Sequence, residues 1–417
     1  MNLYRLELKR VCKTRMTAIL LAIALVLAVV MAYLPVTFIG WTELDANGNK
    51  VRYTGLKAIR KRQEQQVSGT ITPDVMQEAL EAYQRVYRQH DASSINDIPV
   101  EVFYKELARY QPLVNNAKEA FADSKTGMAP GVMGLTAEDM QNFYSQLPKR
   151  LESVIWLEQS GKPGYEQAQA IAQKKFDAVQ KPFTYSFGVS SDAMDYQTLL
   201  SLLLTLLCAV IAAPVFASDA QTGAQDIQLC TKNGGLRLAA AKLAAAFSIT
   251  GAAYLLCGVV WILVTNALFG WESTQTSVQW LFSVTSLLPY TVGQMEWIML
   301  VTNFLIFFAE VAFVLMASVW AKNNLTALSV ALISVVAPLI VYMVVPGSFG
   351  EWLSTLLPAG GIGLSNALLY KMISFDFLYA GGHAFFQADV LLASAPVKIV
   401  LLVGLAAWGY LRKTKVA

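Results

Sequence analysis

Residues that could perform chemistry are few in this chain of 417 residues. It has two histidines, His90 and His383, one at the end of a predicted helix and the other in a Gly-Gly-His turn. Its four cysteines form no C-x-x-C pair, and it lacks both the nucleotide-binding G-x-x-x-x-G-K-[ST] and the zinc-binding H-E-x-x-H patterns. The sequence therefore predicts no catalytic residue and no metal site, and any ATP hydrolysis must come from another polypeptide.

Glu310 is a carboxylate in the middle of an apolar run, IFFAEVAFVL. A charged side chain at the centre of a bilayer costs from about 2.5 kcal/mol upward, so it should face another helix or a water-filled path. Two roles stay open for this intramembrane polar residue. It is either a protonated or hydrogen-bonded packing residue, or a participant in the movement of cargo or protons.

A polar insert, FASDAQTGAQDIQLCTKNGGLRLAAAK, separates two apolar runs at residues 216–242. Asp219 is expected near the start of a short helix, where a carboxylate favours the helix dipole. The Lys-Asn-Gly-Gly run at 232–235 predicts the end of that helix and a turn. Arg237 and Lys242 then mark the return to the membrane, where long basic side chains can snorkel. So polar an insert does not stabilise either flanking apolar run. The insert is therefore interpreted as a binding site for a partner protein.

The elements that must position these residues are membrane spans. The chain is 55% hydrophobic and only 15% charged, with a mean hydropathy of +0.45, which is far from the composition of soluble proteins. Apolar runs of about 18 to 25 residues are long enough to cross a bilayer. We predict six spans, at 17–39, 196–216, 239–269, 297–320, 325–345 and 397–411.

The basic residues that flank these runs predict the orientation. They lie before the first span, between the second and third, between the fourth and fifth, and after the sixth, whereas 270–296 has neither lysine nor arginine. The positive-inside rule then places both termini in the cytoplasm. A cleaved signal peptide is the alternative for the first run, but its length exceeds a signal core of about 7 to 15 residues and no A-x-A-like site ends it.

Residues 40–195 hold most of the charged side chains, with the two signs nearly balanced, and no cysteine. This pattern predicts a water-exposed extracytoplasmic domain without disulfides. Helix starts are expected at Thr72-Pro73 and at Thr136, with further helices at 164–179 and at 100–122, the last broken or kinked at Pro112. No alternation long enough for a sheet is evident, so the predicted fold class is all-α. The basic cluster Lys57, Arg60, Lys61 and Arg62 is either a solvated helix face or a contact for anionic headgroups, and no feature indicates nucleic-acid binding.

With these residues in place, the chain resembles the ABC-2 type permeases of bacterial ABC transporters. The resemblance rests on Asp219, Gly223-Ala224, Ile227 with Leu229, Thr231, Arg237 and Lys242, and on the run ASVWAKNNLTALSVALISVVAP at 317–338. It covers residues 1–39 and 196–417 and leaves out the 40–195 domain.

The resemblance implies a coupling helix at 219–235 that fits a cleft on a separate ATPase subunit. The residues that would form this docking surface are Asp219, Gly223, Asp226, Ile227, Leu229, Thr231, Lys232 and Arg237. It also implies an amphipathic elbow helix on the membrane surface at 1–16, although a plain basic flank is the alternative. Its apolar and basic residues would include Leu3, Leu6, Lys9, Arg10 and Lys13.

At 347–396, too long for a simple connection, we expect short helices that dip into the outer leaflet, or else a plain outer loop. The implied assembly contains two permease subunits, either two copies of this chain or this chain with a sister permease, and two ATPases that bind ATP and Mg²⁺. This chain itself would hold no cofactor and would lie in the bacterial cytoplasmic membrane.

Three functions are weighed. The first is a permease subunit that exports a substrate, with peptide or other amphipathic cargo preferred. The second is a membrane-anchored receptor or signalling protein whose 40–195 domain binds a ligand. The third, a secondary transporter, is disfavoured because the sequence shows neither matching halves nor interrupted helices.

Overall fold

The computed structural model describes residues 3–45, 49–364 and 366–414, and 73% of the structure is helical. The helices of these residues are α1 (Leu3–Cys12), α2 (Arg15–Phe38), α3 (Leu56–Gln65), α4 (Pro73–Gln89), α5 (Val100–Val102), α6 (Gln111–Ala120), α7 (Ala137–Gln141), α8 (Phe143–Gln159), α9 (Tyr165–Asp177), α10 (Ser191–Ala212), α11 (Pro214–Thr222), α12 (Ala224–Leu229), α13 (Leu236–Phe269), α14 (Val278–Leu281), α15 (Val292–Trp320), α16 (Asn324–Val344), α17 (Gly347–Leu356), α18 (Leu368–Ile373) and α19 (Gln387–Thr414).

Six of the helical stretches in the described residues are long and apolar enough to cross a membrane, as the sequence predicts. They are Arg15–Phe38, Ser191–Thr222, Leu236–Phe269, Val292–Trp320, Asn324–Val344 and Gln387–Lys413. The last begins ten residues before the predicted start at 397, because apolar residues and the acidic first turn at Asp389 extend the helix.

The spans alternate in direction, so that the four basic sites meet at one end of the bundle. At this end, which we call the α1 end, α1 contacts α13, and Lys413 of α19 donates a hydrogen bond of 2.6 Å to the carbonyl of Val319. At the opposite end the rings of Phe38 and Tyr196 stack with their centroids 6.3 Å apart. The basic flanks of the spans therefore lie together at one end of the bundle, as the sequence predicts.

The chain is mostly helical, as predicted, but a few short strands depart from the expected all-α fold class. Three small antiparallel pairs occur in the described residues: β1 (Gly40–Leu44) with β2 (Lys50–Thr54), β3 (Gly69–Thr70) with β4 (Thr184–Tyr185), and β5 (Phe377–Ala380) with β6 (His383–Phe386). The β1–β2 pair could have been predicted from the sequence, because an Asn-Gly hairpin signal occurs at positions 47 and 48. These two positions lie outside the described residues. Gly381 and Gly382, with φ of +58° and +81°, close the third pair.

Helices dominate residues 55–180, largely where the sequence predicts them. The Thr72 side chain caps α4 by accepting a hydrogen bond from Val75, and Thr136 and Asp139 form a capping box at α7. Pro112 does not break its helix, contrary to expectation. It lies in the first turn of α6, where a missing N–H does no harm, and the break precedes it as a π turn at Phe103–Leu107.

Residues 40–190 contact the end of the bundle opposite α1. The Gln63 side-chain amide donates hydrogen bonds to the carbonyls of Phe269 (2.6 Å) and Phe187 (3.1 Å), and Gln159 donates to Phe375 at 2.7 Å. Two of the four residues of the predicted basic cluster are engaged internally. Arg62 lies 4.1 Å from the Phe187 ring centroid and Lys61 pairs with Glu43 at 3.5 Å.

Glu119 gives this contact region a pH dependence. Burial raises the pKa of its carboxyl group, and hydrogen bonds from Ser283 (2.5 Å) and the Val284 backbone only partly oppose that effect. A raised carboxyl pKa means that ionised Glu119 costs stability above the ordinary value of 4.5. We expect Glu119→Gln to melt at a higher temperature than wild type at pH 7 and at the same temperature near pH 4. A constant difference across this range, measured by thermal unfolding, would contradict the assignment.

The connection at 347–396 contains two short helices, α17 and α18, and the β5–β6 hairpin, which agrees with the expected short helices. Lys398 of α19 donates hydrogen bonds of 3.0 Å to the carbonyls of Thr355 and Leu357. These carbonyls end α17 and have no partner within that helix. A half-buried lysine thus fixes the C-terminus of α17 against the last span.

Candidate functional site

The polar insert is built from two helical pieces rather than one coupling helix at 219–235. The second span continues through α11 to Thr222, and a separate six-residue helix, α12, follows before the turn at 230–235. Asp219 therefore lies in the last turns of α11 and not at the start of a new helix. Gly223 ends α11 with a left-handed φ of +71°, a conformation that favours glycine.

Most of the predicted docking residues lie on one exposed surface, which we call the docking turn (Gly223–Arg237). Ile227, on α12, is 74% exposed, an unusual state for an isoleucine in a folded helix. Leu229 is half-buried. The exposed members of the predicted set are Gly223, Asp226, Ile227, Thr231, Lys232 and Arg237. The turn is compact, because a side chain at Gly234 would collide with the carbonyl of Gln228.

Directly beneath the docking turn lies what we call the buried charge cluster, in which Glu7, Asp219 and Lys242 are buried and Arg10 is half-buried. Arg10 donates to both carboxylate oxygens of Asp219 at 2.9 and 3.0 Å, and Lys242 also donates to Asp219. Glu7 pairs with Arg10 at 3.1 Å and with Lys242 at 3.6 Å. Two carboxylates thus face two cations, and the cluster joins α1, α11 and α13.

The cluster corrects three predictions. Asp219 is buried and cannot meet a partner directly, and Lys242 is 0% exposed rather than snorkelling to the surface. Arg10 turns toward Asp219 and contacts the carbonyl of Val215 at 2.9 Å, so the predicted elbow helix is fixed to the bundle by its polar side. α1 ends at Cys12, before the predicted boundary at 16, which leaves Lys13 in the turn to α2. Leu3 is half-buried, and Leu6 and Lys9 are exposed.

Ser318 of α15 repairs the backbone where Pro214 divides α10 from α11. Its hydroxyl donates to the carbonyl of Ala213 (2.6 Å) and accepts from the N–H groups of Phe216 (3.1 Å) and Ala217 (3.0 Å). Proline lacks an N–H and disturbs the helical ladder around it, so these groups would otherwise be unsatisfied in a buried place. Ser318 thereby attaches α11 to the fourth span.

Two further contacts surround the docking turn. The Gln221 side chain accepts a hydrogen bond of 3.0 Å from the backbone of Asn324, at the turn between the fourth and fifth spans. Beside α12 lies a groove of about 560 Å³ whose lining includes Asp226, Trp320, Arg412 and Lys413. The base of the docking turn is therefore in contact with α1 and with four of the spans.

Glu310 lies fully buried in the fourth span and accepts a hydrogen bond of 2.5 Å from Ser334 of the fifth. Its second carboxylate oxygen has no hydrogen-bond partner among the described residues. The expectation that this carboxylate faces another helix is confirmed, while its part in transport stays a prediction.

A second intramembrane carboxylate, Glu296, escaped the sequence analysis, which placed it in the 270–296 connection. It is buried in the first turns of α15, where Asn266 donates a hydrogen bond of 2.6 Å to it, and Gln197 donates to its backbone carbonyl at 3.0 Å. The signal was present in the sequence, since Thr291 and Gln294 form a capping box that starts the helix at Val292.

The described part of the chain has no group of three or more His, Cys, Asp or Glu side chains placed to hold a metal ion. All four cysteines lie in that part and are free thiols. Comparisons of the chain with protein families, with curated proteins and with solved structures find no match.

Proposed function

We propose that this chain is the membrane-spanning permease subunit of an ATP-driven exporter, an ABC-2 type permease that works with a separate ATPase. The observation that carries the proposal is the docking turn itself: an exposed isoleucine on a short helix, at the end of the bundle where the basic flanks collect, with a buried charge cluster beneath it. An exposed apolar anchor rimmed by polar residues is typical of a protein interface.

In this proposal the α1 end faces the cytoplasm, in agreement with the positive-inside rule, and both termini lie there. Residues 40–190 then face outward. The partner ATPase receives Ile227 in an apolar cleft, while Asp226, Lys232 and Arg237 form the polar rim. ATP and Mg²⁺ belong to the partner, which supplies the hydrolysis that this chain has no motif to perform.

The buried charge cluster supports a coupling role. A movement of α12 would be transmitted through Gly223 to α11. The charge cluster connects α11 to α1 and α13, and Ser318 connects it to α15. Because buried ion pairs are costly to separate, these helices move as one unit. Closure of two ATPases would thus tilt the spans together and open the path outward.

A second permease subunit completes the proposed assembly. Within an 18-residue apolar stretch of the sixth span only 17% is buried in the chain, and in that of the fifth span 28%, so much apolar surface is left for lipid and for a second subunit. The cargo class that we favour is a peptide or another amphipathic molecule, which the 40–190 region would handle at the outer surface.

The test is ATP hydrolysis that accompanies the chain. The tagged protein is purified in mild detergent from the membranes of its native cells, and ATPase activity is measured in the eluate. We expect Ile227→Asp to lower this activity by about tenfold or more, since it places a charge in an apolar interface.

Met128→Asp is the matched control, because Met128 is 72% exposed but lies in the 40–190 region at the other end of the molecule. It should retain the full activity. Undiminished activity in Ile227→Asp would remove the docking turn from the proposal. A wild-type preparation without ATPase, but with a bound kinase or scaffold, would favour a receptor instead.

A further inference from the structure

A cavity of about 940 Å³ lies at the end of the bundle opposite the docking turn. Its walls come from α9, residues 287–290, α18, the β6 strand of the hairpin and the first turns of α15 and α19. The hairpin packs closely against the start of α9, because a side chain at Gly164 would collide with the backbone of Gly382. Its volume falls near the upper end of the range typical of small-ligand pockets.

The inner walls are apolar. Leu288, Ile298, Met372 and Leu392 line the cavity, and Ile298 and Leu392 are only partly covered by protein. Ile298 and Leu392 belong to the second turns of membrane spans. Ile298 lies one helical turn from Val301, which is 62% exposed on the outside of α15. The apolar part of the cavity therefore adjoins the surface at which lipid chains would lie.

The rim of the cavity is basic. Lys175 pairs with Asp389 at 3.1 Å and lies 4.4 Å from the Phe386 ring centroid. Lys174, exposed one residue earlier on α9, forms no ion pair with any described residue. Two lysines and one aspartate leave a net charge of +1, and the unpaired cation is the one at the mouth of the cavity.

We propose that this cavity binds an anionic lipid from the adjoining leaflet, with its phosphate at Lys174 and one hydrocarbon chain between Ile298 and Leu392. The apolar walls suit the chain, and the uncompensated lysine suits a negative headgroup over a zwitterionic one. The inference does not depend on the docking turn, which lies at the other end of the spans.

The test compares lipid retention by native mass spectrometry of the purified, delipidated chain. The probes are phosphatidylglycerol and phosphatidylcholine with identical acyl chains. We expect wild type to retain phosphatidylglycerol about fivefold better, the size expected for one partly exposed ion pair, and Lys174→Glu to abolish that preference. Lys162→Glu is the control, because Lys162 is an exposed lysine of the same region outside the cavity.

A second variant tests the cavity itself. Ala393 of α19 lines it and is exposed, so Ala393→Trp should fill the space without disturbing a packed core. It should lower the retention of both lipids by at least fivefold. Equal retention of the two lipids by wild type, an unchanged preference in Lys174→Glu, or full retention by Ala393→Trp would each overturn the proposal.

Discussion

Replacing Lys242 by methionine should destabilise the protein by about 3–5 kcal/mol, because it leaves Asp219 and Glu7 buried with one cation between them. Methionine preserves the volume and the unbranched shape of the lysine, so the loss reports on charge and not on packing. Thermal unfolding of the purified protein in nanodiscs measures it, as a fall in melting temperature of several degrees.

The double variant Lys242→Met with Asp219→Leu isolates the electrostatic origin. It removes one charge of each sign and leaves the Glu7–Arg10 pair, which is 3.1 Å long and neutral as a unit. We expect it to be more stable than Lys242→Met alone, since replacing a buried pair by apolar residues is far less costly than breaking it. Additive losses in the double variant would show that the four side chains are not coupled.

Lys232→Met serves as the surface control for this series. Lys232 lies in the docking turn, is exposed, and takes part in no ion pair with the described residues. Its replacement should change stability by less than about 0.5 kcal/mol.

Ser318→Ala should cost about 2–4 kcal/mol, the second largest effect that the structure predicts. The change removes one hydroxyl but leaves three backbone groups beside Pro214 without this hydrogen-bond partner: the carbonyl of Ala213 and the N–H groups of Phe216 and Ala217. An unsatisfied buried polar group costs about 1–3 kcal/mol, and partial relaxation of the helix should recover part of the sum. The measurement is again thermal unfolding in nanodiscs.

Ser394→Ala is the matched control for Ser318. The Ser394 hydroxyl donates only to the carbonyl of Leu391 within its own helix, so its loss strands no backbone N–H group. We expect a change of less than about 0.5 kcal/mol. If Ser318→Ala were equally mild, the helix division at Pro214 would have to be stabilised by packing alone.

These two predictions concern the same mechanical element. α11 is held at its start by Ser318 and near its end by the charge cluster, so its position depends on α1, α13 and α15 together. If the docking turn receives a partner, variants that loosen either attachment should weaken coupling more than docking. Ile227→Asp should do the reverse, which separates binding from transmission.

The candidate site was only partly predictable. The residues of the predicted docking set that lie near one another in the structure do so because they lie within one short polar stretch: Gly223, Asp226, Ile227, Thr231, Lys232 and Arg237. Their part in docking stays a prediction. The role of Asp219 was missed. Its partners Arg10 and Lys242 lie 209 and 23 residues away along the chain, and no local pattern records such a pairing.

Local sequence also contained signals that were overlooked. The capping box at Thr291 and Gln294 would have moved the start of the fourth span to Val292 and drawn Glu296 into the membrane. The β3–β4 pair is different in kind, since its strands of two residues each are more than a hundred residues apart and have no pattern of their own.

The sequence by itself determined the class of the protein: six apolar runs, their alternating direction, the polar insert and the helical character of residues 40–195. These features are local, because span length, basic flanks and helix caps are set by neighbouring residues and by the thickness of a bilayer. Only the tertiary structure decided which charged side chains are buried and which of them pair with one another. Burying Asp219 and Lys242 is stable only if Arg10 and Glu7 arrive from a distant helix to complete the cluster, and the basic-rimmed cavity exists only where α9, a hairpin and two spans meet.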